Sequence, residues 1–225
     1  MFNDPFDGNI PVRWDLLTYD DCIELNMEML KSGIKEFDPN ALREYAKKVT
    51  DGKTLWHPEN IKKEDPEQMK KWDSIIGLFS LSTIRDNILM WSHYADNHKG
   101  FVIGFDPNCL IEKLDVDFLE PITYQKEYPL ITGFDETEVR FYKKFFFKSI
   151  LWEYEQEWRI SKNHISIRTM KFPPEAVKEI ICGCAISQKN IDEIIIQCKK
   201  HFGDWVELYR AEKDEDNFGL SLISM

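Results

Sequence analysis

The sequence lacks the short motifs that identify several large enzyme classes. Neither G-x-G-x-x-G nor G-x-x-x-x-G-K-[ST] occurs, and there is no G-x-S-x-G. Those motifs supply the turns that hold phosphate groups or expose a nucleophilic serine. Their absence argues against kinases, P-loop NTPases, Rossmann dehydrogenases and α/β-hydrolases.

Cysteines and long apolar runs are also scarce. None of the five cysteines forms a C-x-x-C pair, which argues against a zinc ribbon and a disulfide framework and favours buried free thiols in a reducing cytoplasm. The apolar runs are only a few residues long, whereas a membrane span needs about 20. Met1 is followed by the polar stretch FNDPFDG, so we expect no signal peptide.

Basic residues are fewer than acidic residues. The chain has 29 Lys and Arg against 40 Asp and Glu, a formal net charge of -11. Because nucleic acid is a polyanion, this balance disfavours nucleic acid as the main partner, although a local basic patch stays open. Hydrophobic residues make up 43% of the 225 residues, enough for a large core, and the length fits one domain over residues 1–225.

Helical and strand patterns are mixed without regular βαβ alternation, which predicts an α+β fold with a mixed central sheet flanked by helices. Asp20 or Asp21 is predicted to cap a helix that ends near Ser32, and Asp38 with Pro39 begins a second. Residues from about 20 to 77 are predicted to be helical, and residues from about 78 to 225 are predicted to form a mixed sheet with helices. Further helices are predicted from Asp65, over residues 88–94 and 138–152, and after Ser187, with strands over 78–83, 101–105, 119–124, 155–160, 179–184, 206–211 and 218–223.

The stretch MWSHYADNHKGFVIGF at residues 90–105 concentrates groups that can do chemistry. His93 and His98 are five residues apart, whereas metal-binding histidines on one helix face are four apart, so we predict no metal site. Two interpretations of this stretch stay open. His93 either lies at a helix C-terminus, where positive charge is favoured, or faces a pocket and orients a ribose or phosphate. Trp91 is either a pocket wall or core.

A second cluster, WEYEQEWR at residues 152–159, is predicted to form a strand on which Glu153, Glu155 and Glu157 share a face with Arg159. Either Arg159 or Lys148 is expected to offset the repulsion between the carboxylates. One interpretation is a solvated strand edge with a salt bridge. The other is a pocket for a flat cationic or sugar-bearing ligand, because aromatic side chains surround the carboxylates.

These blocks, together with FNDPFD at residues 2–7, LFSLS at 78–82 and FPPEAVKEIICG at 172–183, resemble the bacterial family DUF2971. The resemblance implies a bacterial, soluble protein and a link to anti-phage defence. Members usually have a strand, a helix and another strand before the FNDPFD block, so we expect either a late annotated start or a native chain without them.

The chain is also similar to ADP-ribosyltransferases, which carry an S-T-S-like strand and a later E-x-E strand. Ser80-Leu81-Ser82-Thr83 and Glu155-Gln156-Glu157 stand in that order. The similarity implies an ADP-ribosyltransferase-like fold and NAD as cofactor. It also implies that Glu157 stabilises an oxocarbenium ion, that Glu155 positions the acceptor and that Ser82 braces the pocket.

The predicted site therefore has two parts. Its catalytic members are Glu157, Glu155 and His93, and its ligand-binding members are Ser80, Ser82, Trp91, Ser92, Tyr94, His98, Lys148, Trp152 and Arg159. The alternative is a non-catalytic module that senses a small molecule or binds a protein partner, for example an antitoxin-like subunit. A metal-dependent nuclease ranks last because of the charge and the lack of clustered acidic ligands.

Overall fold

The computed structural model describes residues 4–32, 36, 38–52, 70–72, 74–165 and 169–225. The protein is α+β, as predicted. Contacts divide it into two compact units, one formed by residues 1–76 and 123–150 and the other by residues 77–122 and 151–225. The expectation of a single domain over residues 1–225 stays a prediction.

The elements of the described residues follow one another without βαβ repetition. The α-helices are α1 (Tyr19–Lys31), α2 (Pro39–Asp51), α3 (Ile88–Tyr94), α4 (Pro107–Leu114), α5 (Thr137–Phe145) and α6 (Gln188–His201). The strands are β1 (Gly77–Ser82), β2 (Phe101–Phe105), β3 (Phe118–Pro121), β4 (Thr123–Gln125), β5 (Phe147–Ser149), β6 (Glu157–Lys162), β7 (Val177–Cys182), β8 (Glu207–Lys213) and β9 (Leu220–Ser224). Short 3-10 turns occupy Trp14–Leu16, Ile150–Glu155, Pro174–Ala176 and Gly203–Trp205.

In the first unit, α1 and α2 pack through a small apolar core of Ile23, Met27, Leu42 and Ala46. The cap of α2 is the predicted one, because the Asp38 carboxylate accepts from the Asn40 amide and Pro39 begins the helix.

The predicted cap of α1 is wrong by two residues or more. Thr18 caps this helix in a capping box, and Asp21 is its partner three positions later. Both residues can accept from main-chain amides, and the sequence pattern did not separate them.

The predicted helix over residues 138–152 is wrong in its second half. Helix α5 ends at Phe145, and the chain turns at once into β5, which pairs in parallel with β4. Aromatic residues favour strands, and the run of Phe145, Phe146 and Phe147 lies at this boundary. The predicted strand over 119–124 is likewise interrupted at Ile122, between β3 and β4.

The second unit holds two sheets. In the first, β1 and β3 flank β6 and both are antiparallel to it. In the second the order is β2-β7-β8-β9, with β7 and β8 parallel and the outer pairs antiparallel. The strands therefore belong to separate sheets, and the four-stranded one is mixed.

Helix α4 was not predicted, although its signal is visible. Asp106 caps it, accepting from the amides of Asn108 and Cys109, and Pro107 is its first residue. The tripeptide Asp-Pro-Asn is the same one that begins α2 at Asp38. The strand predicted over residues 101–105 ends at these residues, and the helix that they begin was missed.

Some sequence predictions lie outside the described residues. The pattern predicts that Gly33 ends the first helix and that residues 53–64, with His57, form a polar loop, and neither can be compared with the structure. The same holds for the capping box predicted over residues 65–68, at the start of the helix from Asp65. The apolar Trp72 is described, and its ring meets the rings of Phe141 and Phe145 edge-on at 6.1 and 5.9 Å.

Asp135 gives the first unit a defined response to pH. Burial raises the pKa of this carboxyl, but hydrogen bonds from Lys143 and from Thr132 outweigh it, and the pKa is lowered overall. A lowered folded-state pKa means that the carboxylate stabilises the fold above its unfolded value, near pH 4, and that the contribution disappears as pH falls through the folded value.

We therefore expect Asp135→Asn to lower the free energy of unfolding by about 1 kcal/mol at pH 7. The difference between wild type and variant should shrink as pH falls below about 4. Urea unfolding at several pH values measures it. A difference that grows toward acid pH would contradict the assignment.

Candidate functional site

Helix α3 is anchored by Trp91 and presents its other side outward. Trp91 is 2% exposed, packs with Ala95, Ile181 and Ala211, and donates its indole N–H to the Arg85 carbonyl at 2.9 Å. This is the core interpretation of Trp91, and it leaves almost none of the ring accessible to a ligand.

Asn87 connects α3 to the 3-10 turn Ile150–Glu155. Its carboxamide oxygen caps the helix by accepting from the amides of Leu89 and Met90. Its amide nitrogen donates to the carbonyl of Tyr154 at 3.2 Å. One side chain therefore fixes the two predicted motifs relative to each other, as the sequence had suggested without identifying the residue.

A polar and aromatic group forms where these two segments meet. We call it the Glu155 cluster, and it consists of Glu155, Tyr94, His93, Tyr154 and Trp152. The Tyr94 hydroxyl donates to Glu155 Oε1 at 2.7 Å, and the Tyr154 hydroxyl lies 3.3 Å from His93 Nδ1. The His93 ring centroid is 6.1–6.3 Å from those of the three aromatic neighbours. The cluster combines one carboxylate with four rings.

Exposure differs sharply within the cluster. Tyr94 is 53% exposed and His93 is exposed as well, whereas Glu155 is only 2% exposed. The hydroxyl of Tyr94 therefore links the protein surface to a buried carboxylate. A charged group inside the protein interacts more strongly with a ligand than the same group in water.

The S-L-S-T strand supports the E-Q-E segment directly. Ser82 donates its hydroxyl to the Glu155 carbonyl at 2.6 Å. Thr83 bonds Gln156 twice, from its amide to the carbonyl at 3.4 Å and from its hydroxyl to the side-chain oxygen at 2.9 Å. These bonds hold Gln156 in a left-handed conformation with φ of 40°. Gln156 lies between the 3-10 turn, which ends at Glu155, and β6, which begins at Glu157.

The prediction of three carboxylates on one strand face is therefore wrong. Glu153 is exposed on the 3-10 turn, and Glu155 precedes the strand. Of the four residues predicted to share a strand face, only Glu157 and Arg159 lie in β6, two positions apart and therefore on the same face.

Arg159, one of the two residues expected to offset the carboxylates, neutralises Glu157. Arg159 Nε lies 2.7 Å from one carboxylate oxygen and its Nη2 lies 3.2 Å from the other, a bidentate pair. The two residues are 1% and 6% exposed. In the register of β1 and β6, Ser80 stands opposite Arg159 and Ser82 opposite Glu157.

The remaining predicted residues are placed elsewhere. His98 stacks on Trp91, with ring centroids 6.4 Å apart, and lines a cleft of about 610 Å³ with Asn97 and Cys184. Ser92 is half-buried on α3. Lys148 is 8% exposed on β5 and belongs to the first unit.

A left-handed turn follows α3. Three consecutive residues, Asp96, Asn97 and His98, have φ of 47°, 53° and 65°. The His98 carbonyl accepts from the Ala185 amide at 3.0 Å, and Gly183 lies directly against it. Such conformations are strained for residues other than glycine and occur where the surrounding structure fixes them.

Two buried cysteines of the second unit, Cys182 and Cys198, are poor nucleophiles. Burial raises the pKa of Cys182, while the charge of Arg210 lowers it in part, and burial also raises the pKa of Cys198. A raised pKa keeps a thiol protonated and poorly nucleophilic. All five cysteines are free.

Across the described ranges, no three His, Cys, Asp or Glu side chains are grouped so that they could hold a metal ion. In the same part of the chain, no helix combines the length and apolar character that crossing a membrane requires.

Sequence reasoning placed Tyr154 among the aromatic residues around the carboxylates but did not include it in the predicted site, and it missed Asn87 and Thr83. Asn87 carried a signal, since asparagine before the apolar run of α3 is a typical N-cap. The contacts that Tyr154 and Thr83 make join residues 61 and 73 positions apart, so no local pattern predicts them.

Comparison with known proteins is sparse. Neither the curated proteins nor the solved structures contain a match to this chain. The blocks at residues 2–7, 78–82 and 172–183 lie outside residues 90–160, over which a family model matches. Residues 90–160, which include both motifs of the Glu155 cluster, match the model of the family described as Protein of unknown function (DUF2971).

Proposed function

We propose that the Glu155 cluster binds a flat, positively charged ring, and that its ligand is NAD, held by the nicotinamide end. The observation that carries the proposal is the bond from the exposed Tyr94 hydroxyl to the buried Glu155 carboxylate. Aromatic faces attract cations, and a carboxylate beside them adds charge complementarity. The nicotinamide ring of NAD is flat and cationic.

The charge requirement is tested with two small ligands that differ in little else. 1-Methylnicotinamide carries the pyridinium charge and nicotinamide does not. We expect the cation to bind at least about five-fold more tightly, as a cation–π contact and a carboxylate would give. Calorimetric titration of each ligand measures this. Equal affinities would show that the cluster does not recognise charge.

A second candidate is catalysis, namely ADP-ribosyl transfer from NAD. It is favoured by the hydrogen bonds from Ser82 and Thr83 that brace the E-Q-E segment. In this reaction the bond between nicotinamide and ribose breaks, and its electron pair neutralises the pyridinium nitrogen. The ribose becomes an oxocarbenium ion, which Glu157 would stabilise once it gives up its bonds to Arg159. An acceptor group attacks the ribose carbon that had been bonded to nicotinamide, and the acceptor's proton passes to Glu155.

Nicotinamide release by the purified protein tests the catalytic proposal, with bacterial lysate as acceptor source. We expect release to fall at least about 100-fold in Glu157→Gln, the scale on which one electrostatic stabiliser acts. Exposed Glu153 offers the matched control, and Glu153→Gln should leave release unchanged. Release that persists in folded Glu157→Gln would remove Glu157 from the reaction.

The non-catalytic alternative is a module that senses a ligand or binds a partner, as in an anti-phage or toxin–antitoxin setting. In this alternative the same residues of the Glu155 cluster bind the ligand but carry out no reaction. Binding of NAD without nicotinamide release would support this alternative over catalysis.

A further inference from the structure

An apolar pocket lies in the second unit, away from the residues of the Glu155 cluster. It has a volume of about 220 Å³, and β1, β6 and α4 contribute to its wall. Leu110 and Ile160 are 1% and 5% exposed and lie at its buried side. An apolar cavity of about 150 Å³ stays dry and takes up a benzene-sized molecule, so this pocket is large enough for a longer apolar group.

Aromatic side chains shape one wall of the pocket. The Phe105 ring meets Phe79 and Phe172 edge-on, with centroids 6.4 and 5.2 Å apart. Gly77 admits the side chain of Ile165, since a Cβ at Gly77 would lie 2.5 Å from Ile165 Cδ1. Phe79 is 48% and Phe172 is 39% exposed, so this wall is open to solvent on one side.

The pocket has a single charged residue among the described residues that line it, Lys162. The Lys162 ammonium donates to Asp115 Oδ2 at 3.0 Å, to the Leu114 carbonyl at 3.5 Å and also to the Asp115 carbonyl. The Asp115 side chain is fully exposed. An ion pair with an exposed carboxylate is weak, so another carboxylate can take its place.

We propose that this pocket binds an unbranched alkyl chain that ends in a carboxylate, with the chain against Leu110 and Ile160 and the carboxylate at Lys162. The alkyl chain is stabilised by leaving water, and the carboxylate is selected because Lys162 is a cation at the pocket. The site is independent of the proposed NAD site and shares no residue with it.

Occupancy is tested with octanoate as the probe, by calorimetric titration of the whole chain. Leu114→Trp fills the pocket from α4, and Ile111→Trp adds the same bulk to the same helix outside the pocket lining. We expect octanoate to bind wild type and Ile111→Trp, and binding to fall at least about ten-fold in Leu114→Trp. Val116→Trp fills the pocket from another segment and replaces Leu114→Trp if that variant does not fold.

Head-group recognition is tested with 1-octanol and with Lys162→Met, which keeps an apolar stem without the charge. Lys178→Met, on β7 and outside the lining, is the control. We expect octanoate to bind wild type about three- to five-fold more tightly than 1-octanol, and this preference to vanish only in Lys162→Met.

Two results would overturn the proposal. No binding of octanoate to wild type at millimolar concentration would show that the pocket does not accept an alkyl chain. Equal binding of octanoate and 1-octanol, unchanged in Lys162→Met, would show that Lys162 does not select a carboxylate.

Discussion

Arg159→Met is expected to lower the free energy of unfolding by about 3–5 kcal/mol, which is the cost of removing one partner of a buried ion pair. The bidentate bonds to Glu157 would be lost while that carboxylate stays buried in the sheet. Urea unfolding followed by circular dichroism measures the change. The double variant Glu157→Gln with Arg159→Met should be more stable than Arg159→Met alone, because the buried negative charge is also gone.

The chain offers a matched control for this prediction. Arg13 and Asp15 are also two residues apart and also form a bidentate pair, at 2.8 and 2.7 Å, but both side chains are about half exposed. Arg13→Met should therefore change the free energy of unfolding by less than about 1 kcal/mol. Equal losses in Arg159→Met and Arg13→Met would show that burial does not set the strength of the Glu157–Arg159 pair.

Gly183→Ala is expected to cost about 3 kcal/mol, at the upper end of overpacking effects. A Cβ at this position would lie 2.1 Å from the His98 carbonyl oxygen and 3.1 Å from that of Gly100. Both atoms are main chain, so relief would need movement of the left-handed turn at residues 96–98 or of β7. The same unfolding measurement detects the loss.

Gly219→Ala is the control for this second prediction. The nearest atom to a Cβ there is Asp214 Cβ at 4.0 Å, an ordinary contact. We expect Gly219→Ala to stay within about 0.5 kcal/mol of wild type. A Gly183→Ala variant as stable as Gly219→Ala would mean that the turn at residues 96–98 is free to move.

Local signals carried most of the fold prediction. Helices α2 and α6 were found because each has a side-chain cap and an apolar stripe at helical spacing. The strand predicted over residues 78–83 corresponds to β1, which begins one residue earlier. That residues 123–150 belong with residues 1–76 could not be read locally, because it depends on contacts distant in sequence.

The sequence predicted which residues belong to the candidate site better than it predicted how they are arranged. Tyr94, His93, Trp152 and Glu155 are brought together as the two motifs suggested. The separation of Glu155 from Glu157 was missed because a left-handed Gln156 has no sequence signature comparable to glycine. Trp91 was assigned to the ligand because a tryptophan in a polar motif looks the same in sequence whether it lines a pocket or fills the core.

The most direct test of the central claim is the affinity of NAD for wild type, Glu155→Gln and Glu153→Gln, measured by calorimetric titration. Glu153 lies on the same 3-10 turn but is exposed, so it controls for the loss of one carboxylate. We predict that Glu155→Gln weakens NAD binding about ten-fold or more, the scale of a hydrogen bond to a charged group, while Glu153→Gln binds as wild type does. Absence of NAD binding to wild type, or equal affinity in all three proteins, would contradict the assignment of the Glu155 cluster as the ligand site.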